Sequence, residues 1–397
     1  RFSAGGRTRN VSDASPPPRR LSESDMLLLI GALGSGEAAL SGWEGFLDRS
    51  RDLDVVDAGQ FRLLPLVYRN LRDLGHSSAG SIGWLQGIYR QSWYRNRMAE
   101  ARVVQAIDLL EQAGIDVMVL KGMAMVGLAY GDIATRPMND ADLYVHGRNV
   151  RRARTVLESN GWRLVLETPA EFGKFARLFH AMLYRHESGM ELDLHRHLLE
   201  ESNWQFADAG IWERSITTPL GGRGVRTPAR EAHGVHAIVH GGRWDPIPPL
   251  RWIADATLLL RRHTIRWDLV VSEAERRGVT LAVGAGLAFL REHFEAPIPE
   301  EPPRQLLERG HGVLERADFR FQQGGRGAAA QSARYVTRYL RLTRGKSPVV
   351  RLNLFPAYLR AMWGLESAWG LPREGTRRFV DRARGREPLP RVRPIPE

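Results

Sequence analysis

The sequence contains no cysteine, which excludes disulfide bonds, thiolate catalysis and cysteine-ligated zinc or iron–sulfur sites. It also contains no apolar run that approaches the roughly 20 residues needed to span a bilayer. The N-terminal residues have no apolar core typical of a secretion signal. From these absences we predict a cytoplasmic protein without membrane association.

Lysine is scarce, because Lys121, Lys174 and Lys346 are the only lysines among 57 Lys and Arg residues. The formal net charge of +12 favours an anionic partner, such as a nucleotide or a nucleic acid. An arginine-rich composition alone explains the same charge. A lysine inside a motif is therefore informative, since a compact ammonium group suits a phosphate better than a planar guanidinium does.

Composition and hydrophobic periodicity divide the chain into successive parts. Residues 1–20 are rich in Gly, Ser, Pro and Arg and predict a disordered tail. Residues 21–112 place apolar side chains at helical spacing and predict a helical N-terminal region. Residues 113–215 alternate strands with helices, which predicts an α/β or α+β core. We expect a helical C-terminal domain at 216–375 and an Arg/Pro-rich tail at 376–397.

Within the core, short apolar runs rich in β-branched residues predict strands. A helical spacer containing Phe172, Phe175 and Phe179 separates the third strand from a hairpin that turns at Glu187-Ser188-Gly189. The predicted strands are Ile115–Leu120, Leu143–Val145, Trp162–Glu167, Ala181–Tyr184 and Met190–Leu194.

Three aspartates carry the chemistry that we predict. Asp140 and Asp142 point to one face if their segment is extended, and Asp193 lies in the alternating run from Glu191 to His195. If the two strands are neighbours, three carboxylates surround a divalent cation. Such a set suits two Mg²⁺ ions, with Mn²⁺ as an alternative, and nucleotidyl or phosphoryl transfer.

Positive groups near these acids predict a nucleotide site. Lys121-Gly122 follows a strand and begins a helix, where free N–H groups and the ammonium favour phosphate. Arg136 stands four residues before Asp140, within reach of a triphosphate. His195 shares the face of Asp193 and orients it or a phosphate. An Asp-x-Asp pair alone is common, so the ordered set is what makes the pattern informative.

These motifs resemble the uncharacterised nucleotidyltransferase family of the polymerase-β-like superfamily. The resemblance runs through Val119-Leu120-Lys121-Gly122, Arg136-Pro137-Met138-Asn139-Asp140-Ala141-Asp142-Leu143 and Glu191-Leu192-Asp193-Leu194-His195. Leu64-Pro65-Leu66-Val67-Tyr68, His236-Ala237-Ile238-Val239-His240-Gly241 and Leu250-Arg251-Trp252-Ile253-Ala254-Asp255 extend it to roughly residues 25–265.

The resemblance implies an α+β fold whose mixed sheet with flanking helices lies between helical regions. It implies metal-dependent transfer of a nucleoside monophosphate from an NTP, with ATP favoured, and release of pyrophosphate. Asp140, Asp142 and Asp193 would be catalytic metal ligands. The acceptor would be a hydroxyl or similar group of a peptide, a small molecule or RNA, with a nucleic acid less favoured than the other two. Lys121-Gly122 replaces the Gly-Ser pair of the wider superfamily, which leaves the grip on the triphosphate open.

The alternative function is a non-catalytic protein that binds nucleic acid or peptide on the same fold. Arg334, Arg338 and Arg341 recur at helical spacing within the basic 334–346 segment and suit an RNA surface. A solvated face is the favoured interpretation of this stripe. Kinase-like phosphoryl transfer is a third alternative, although the sequence has no kinase motif set.

Other polar residues receive structural interpretations. His233, His236 and His240 share a helical face that suits zinc, but packing or hydrogen bonding is favoured because no carboxylate completes a motif. We expect His240-Gly241 to mark a helix end that faces the active site. We also expect His197 to be exposed and Asp255 to pair with an arginine of a neighbouring helix.

Overall fold

The fold is an α+β arrangement in which helices flank a mixed sheet, as predicted. The computed structural model describes the chain from residue 21 to 383, apart from 51–55, 77, 79, 166–179, 205, 244–248, 325–327, 364 and 366. Side chains are not described at 322–334, 361, 368, 382 and 383. The predicted N-terminal tail, Lys174 and the phenylalanine-containing spacer lie outside the described residues, as does the side chain of Arg334. Of the predicted tail at 376–397, residues 384–397 lie outside them too, whereas residues 376–383 continue a helix that begins at Leu371.

The N-terminal region is helical. Ser22 and Asp25 form a reciprocal capping box that begins the first helix, with N-to-O distances of 3.0 and 3.1 Å. The core here forms where Leu28 and Leu29 pack with Trp43 and Phe46. The helices of this region are α1 (Glu23–Leu33), α2 (Gly36–Arg49), α3 (Ala58–Phe61), α4 (Leu64–Asp73) and α5 (Ile82–Gln112).

The long helix α5 also fixes the loop that leads into the site. Asn96 is buried, and its amide donates to the carbonyl oxygens of Ile133 (2.6 Å) and Arg136 (3.0 Å). Its oxygen accepts from the backbone N–H of Met138 at 3.2 Å. One side chain therefore satisfies three backbone groups of a loop that would otherwise leave them buried and unpaired.

Five described strands form one mixed sheet in the order β1-β2-β5-β4-β3. The pair β2 and β5 is parallel, and the other neighbours are antiparallel. The strands are β1 (Val117–Leu120), β2 (Asp140–Val145), β3 (Trp162–Leu164), β4 (Ala181–His186) and β5 (Glu191–His195). Between β1 and β2 lie α6 (Lys121–Met125), a π-helical turn (Val126–Tyr130) and a 3₁₀ turn (Ile133–Thr135), and α7 (Val150–Glu158) joins β2 to β3.

A second hairpin follows the sheet where we expected the helical domain to begin. Strands β6 (Ile216–Leu220) and β7 (Arg223–Thr227) pair around Gly221-Gly222, whose φ angles are +58° and +76°. Two consecutive glycines with positive φ are typical of a tight hairpin turn. The hydroxyl of Thr227 donates to the carbonyl of Val119 at 2.7 Å, so the hairpin packs on β1 of the core.

The rest of the described chain is helical. It contains α8 (Arg230–Gly241), α9 (Arg251–Arg262), α10 (Trp267–Arg277), α11 (Thr280–Phe294), α12 (Glu301–Glu308), α13 (Val313–Gly324), α14 (Ala328–Leu342), α15 (Pro348–Met362) and α16 (Leu371–Ala383), with 3₁₀ turns at Glu200–Ser202 and Ala368–Gly370. Within the described residues, none of the helices has the length and apolarity needed to cross a bilayer.

The arginine stripe on α14 is not a solvated face, which corrects our favoured interpretation. Arg338 pairs with Glu200, and Arg341 pairs with Asp318 at 2.6 Å. The Arg341 guanidinium also donates to the carbonyl of Gly278 at 3.1 Å. Both guanidinium groups hold helices together, so the observation that motivated an RNA-binding surface on this helix is lost.

Candidate active site

The parallel pairing of β2 and β5 brings two of the predicted aspartates together. In its register Asp142 lies opposite Asp193, and Asp140 lies opposite Glu191. Because side chains alternate along a strand, Asp140 and Asp142 project to the same face. The sheet thus joins residues that are far apart in the chain on adjacent strands, as the sequence pattern predicted.

Lys121 is the cation of this acidic pair. Its Nζ lies 2.5 Å from Oδ1 of Asp142 and 4.0 Å from Oδ2 of Asp193. Lys121 begins α6 directly after Leu120, the last residue of β1, and Leu120 is paired with Asp142 in the sheet. Its φ of +43° lies in the left-handed region, which is uncommon for a residue with a side chain and carries strain.

The electrostatics of the two carboxylates differ. Burial raises the pKa of Asp142, but the Lys121 ammonium and the His195 hydrogen bond outweigh it and hold that pKa well below its usual range. Burial, followed by repulsion from Asp142, raises the pKa of Asp193. The site therefore contains one firmly ionised carboxylate and one that needs further positive charge nearby.

His195 stands behind Asp142 rather than at the surface of the site. It is fully buried, and its Nε2 lies 2.8 Å from Oδ1 of Asp142. Its Nδ1 faces the carbonyl oxygen of His197 at 3.3 Å. The carboxylate that His195 contacts is thus Asp142 and not the predicted Asp193. Its predicted contact with a nucleotide stays a prediction.

The donor set fits a divalent cation. One ligand atom from each of Asp142, Asp193 and His195 lies within 4.8 Å of the others, and this is the one such group of three that the described residues contain. Asp140 is not part of it, although its side chain lines the same cleft. Hard oxygen donors of two ionisable carboxylates are ligands that Mg²⁺ and Mn²⁺ accept.

Gly122 is required by packing. A Cβ at this position would lie 2.6 Å from both Nη1 of Arg136 and Sδ of Met138. The glycine therefore lets the start of α6 pack closely against the loop that leads into β2. This close approach is a structural need, and the predicted contact of Gly122 with phosphate stays a prediction.

The guanidinium of Arg136 lines the cleft and is paired with another residue, and its predicted contact with the triphosphate stays a prediction. Its Nε and Nη2 each donate to Asp255 at 2.8 Å, and Tyr130 donates to the same carboxylate at 2.7 Å. The expected arginine partner of Asp255 thus exists, but it comes from the loop before β2 and not from a neighbouring helix. Because all three residues are buried, the pair fixes the loop against α9.

The carboxylates open on a cleft of about 380 Å³. Arg62 and Arg251 line it together with Lys121, and sequence reasoning assigned no role to either arginine. Arg251 donates to the carbonyl of Pro137 at 2.7 Å. Burial and the neighbouring Arg136 lower the pKa of Arg251 to about 10. Arg251 lies one helical turn before Asp255 on α9. This spacing is the sequence signal from which its position near the site could have been predicted.

The three histidines of α8 do not form a metal site in the described structure. The hydroxyl of Thr227 donates to Val119 and accepts from Nε2 of His233 at 2.7 Å, which makes His233 a hydrogen-bonding residue. His236 and His240 stack with ring centroids 5.3 Å apart and line the cleft. The predicted orientation of His240-Gly241 toward the active site is consistent with this position.

His197 is not exposed, which corrects our expectation. It is only 13% exposed, and its Nδ1 lies 3.0 Å from Oδ2 of Asp208. That carboxylate is also 2.8 Å from Nη1 of the buried Arg277. The residue therefore belongs to a buried polar network that ties the segment after β5 to α10.

Comparisons with known proteins give one family match and several distant structural similarities. A family model described as an uncharacterised nucleotidyltransferase matches residues 58–295. A solution structure of the antibiotic-resistance factor ANT(2'')-Ia is 16% identical with a TM-score of 0.31, covering 51% of this chain and 95% of that one. A crystal structure of ANT(2'')-Ia in complex with adenylyl-2''-tobramycin is 17% identical with a TM-score of 0.30, covering 49% and 98%.

A third structure, of an antigenic nucleotidyltransferase-like protein from Paracoccidioides brasiliensis, is 18% identical with a TM-score of 0.35, covering 50% of this chain and 93% of that one. These similarities are too distant to assign a substrate. No curated protein matches the sequence significantly. The resemblance drawn from the sequence motifs is confirmed by the family match.

Proposed function

The chain belongs to the uncharacterised nucleotidyltransferase family, and we propose that it transfers a nucleoside monophosphate from an NTP to a hydroxyl acceptor. ATP is the favoured donor, and the acceptor class is a peptide or small molecule. The observation that supports this proposal is the pairing of Asp142 with Asp193 on adjacent parallel strands beside Lys121.

The carboxylates would hold the divalent ion that this chemistry uses. We assign Asp142 and Asp193 as ligands, with Asp140 joining from the same face of β2 and His195 fixing Asp142 from behind. When bound, Mg²⁺ or Mn²⁺ would supply charge neutralisation at the triphosphate and at the attacking oxygen. A second ion is part of the proposal, as the three-aspartate pattern predicts.

Asp193 is suited to accept a proton from the acceptor. Its side chain is 25% exposed, whereas that of Asp142 is 3% exposed, so Asp193 is the member of the pair that an acceptor can reach. In the reaction the acceptor oxygen bonds to the α-phosphorus as its proton passes to Asp193. The bond from that phosphorus to the bridging oxygen breaks, and pyrophosphate leaves with those electrons.

Several positively charged side chains of the cleft would bind the triphosphate together. Lys121 contacts Asp142 at 2.5 Å, so we expect its ammonium to move toward phosphate when a divalent ion takes over the carboxylates. Arg251 and Arg62 line the same cleft, and they join Arg136 as our candidates for the β- and γ-phosphates. Arg251→Gln should raise the KM for NTP more than Arg251→Lys does.

The direct test is the mass of the product. The protein would be incubated with each NTP, Mg²⁺ and pools of hydroxyl-bearing peptides and small molecules, and acceptors would be examined by mass spectrometry. A gain of one nucleoside monophosphate supports the proposal, whereas a gain of phosphate alone indicates a kinase. Asp142→Asn/Asp193→Asn is the matched inactive variant, and transfer that survives in it would refute the assignment of the site.

A further inference from the structure

A second and larger cavity lies apart from the catalytic cleft. Its volume is about 1010 Å³, and it shares no lining residue with the cleft. Tyr144 and His146 line it where β2 ends, and α14 and α15 contribute Tyr339 and Tyr358. Another wall comes from residues 196, 197, 203, 204, 206, 208–210, 212 and 213, which follow β5. A volume of this order suits a ligand of drug size or somewhat larger. We call it the aromatic cavity.

Two aromatic side chains of the aromatic cavity are available for stacking. Phe206 is 75% exposed, and its φ of +67° places it in the left-handed region. An exposed phenylalanine in a strained conformation gains little from the fold, and strain of this kind concentrates at ligand sites. Trp204 lines the same cavity and is only partly buried. Trp212, in contrast, is already stacked on His146 with centroids 4.0 Å apart.

The charges around the aromatic cavity favour an anion. Arg344 and Lys346 line it and are exposed, and the Arg344 guanidinium lies 5.5 Å from the ring centroid of Trp204. Asp208 in the wall pairs with the guanidinium of Arg277 at 2.8 Å, and its Oδ2 also lies 3.0 Å from Nδ1 of His197. Glu213 is the other carboxylate of the lining. The hydroxyl of Tyr358 is buried in the wall without a hydrogen-bond partner in the described structure.

We propose that the aromatic cavity binds a planar, anionic ligand of the nucleotide class. The base stacks on Phe206 and Trp204, and the phosphate lies against Arg344 and Lys346. Aromatic platforms combined with cationic groups are the means by which proteins hold single bases without reading their sequence. The same chemistry is offered by a free nucleotide and by an unpaired end of a nucleic acid strand. This site does not depend on the catalytic cleft.

The test measures binding of two probes to the full chain in EDTA. AMP is titrated calorimetrically, and a fluorescein-labelled hexamer of deoxyadenosine is titrated by fluorescence anisotropy. We expect Phe206→Ala to weaken binding about tenfold, since it removes a stacking surface. Arg344→Gln/Lys346→Gln should weaken it similarly and reduce its dependence on salt. Binding of AMP alone identifies a free nucleotide, and preferential binding of the hexamer identifies a strand end.

Matched controls separate the aromatic cavity from general charge and from the cleft. Arg90→Gln/Arg95→Gln removes two exposed charges from α5, and Asp142→Asn/Asp193→Asn alters the catalytic pair. Both controls should bind as the wild type does. Because Phe206 is exposed, its alanine variant should fold normally, which thermal melting by circular dichroism checks. Absence of binding to both probes, or equal losses in cavity and control variants, overturns the proposal.

Discussion

Lys121 has two opposing effects on the cleft. Its backbone is strained at φ +43°, and its ammonium supplies the positive charge that two adjacent carboxylates require. A divalent ion at the same carboxylates would compete with that ammonium for them. Lys121 therefore stabilises the site without metal and opposes metal binding without nucleotide.

We predict that Lys121→Met binds Mn²⁺ more tightly than the wild type in the absence of nucleotide. Loss of a unit charge a few ångströms from the ligands should raise the affinity roughly tenfold or more, even with strong screening. The free Mn²⁺ signal in electron paramagnetic resonance measures this. Lys121→Arg keeps the charge and serves as the control. Weaker binding in Lys121→Met would mean that the ammonium helps to hold the ion.

Asp255 provides a second prediction at this scale. Asp255→Asn leaves the buried Arg136 guanidinium without a counter-charge, so the free energy of unfolding should fall by about 3 to 5 kcal/mol. Tyr130→Phe removes one hydrogen bond to the same carboxylate and should cost about 1 kcal/mol. Urea denaturation gives both values. The double variant Arg136→Met/Asp255→Leu should recover much of the loss, and failure to do so would indicate a further role for Arg136.

His233 gives a prediction about pH. Burial lowers its pKa to about 4 from the ordinary 6.5, so the unfolded chain takes up a proton in a range where the folded chain does not. The stability from this residue is complete above pH 6.5 and is lost as the pH falls toward 4. Between pH 7.5 and 4.5 the wild type should lose about 2 to 3 kcal/mol more than His233→Gln does. Urea denaturation at both pH values measures the difference, and equal losses would contradict the assignment.

At the scale of elements, the strands that carry the acids were predictable and the hairpin was not anticipated. The alternation from Glu191 to His195 and the pair Asp140 and Asp142 each define a face, so a neighbouring arrangement follows once the strands pair. The hairpin Ile216–Leu220 and Arg223–Thr227 had a readable signal in Gly221-Gly222. Its flanking residues are polar and rich in Thr and Arg, which hid the strand pattern.

The C-cap residue of helix α11 has a backbone conformation that favours glycine, which gives a prediction about stability. This residue is Glu295, which is exposed and has a φ of +48°. Glycine adopts this conformation without strain and is the preferred residue there. We expect Glu295→Gly to raise the free energy of unfolding by roughly 0.5 kcal/mol. Thermal and urea denaturation measure this change in the free energy of unfolding. Glu292→Gly, at an exposed position inside the same helix, is a control that should destabilise the protein.

At the scale of the whole molecule, the charge of +12 overstates the surface that is available to anions. Arg136, Arg277, Arg338 and Arg341 are all engaged with carboxylates inside the protein. Most of their partners come from distant segments that no local pattern could reveal, although Glu273 lies one helical turn before Arg277 and pairs with it. The sequence therefore predicts the identity of the cleft acids well, while the available cations, Arg251 and Arg62, depend on how the helices pack.

A ligand that binds only the folded chain must stabilise the entire molecule. With ATP and Mg²⁺ at a hundred times the dissociation constant, the free energy of unfolding should rise by about 2.7 kcal/mol. The part of the shift in melting temperature that requires Mg²⁺ should disappear in Asp142→Asn/Asp193→Asn, whereas any stabilisation by ATP in EDTA, which the aromatic cavity would provide, should remain. Phe206→Ala should retain the Mg²⁺-dependent part, since that residue lies outside the cleft. An equal Mg²⁺-dependent shift in the aspartate variant would contradict the assignment of the cleft.

The parallel pairing of β2 with β5 determines what two fragments of the chain could do if the protein were cut between these strands. The exposed turn at Ser188-Gly189 lies between the two strands, so a chain cut there yields one fragment with Asp142 and another with Asp193. Neither fragment alone possesses the acidic pair. Complementation of the two halves would restore nucleotidyl transfer only when the strands meet in register, which makes turnover itself a reporter of their association.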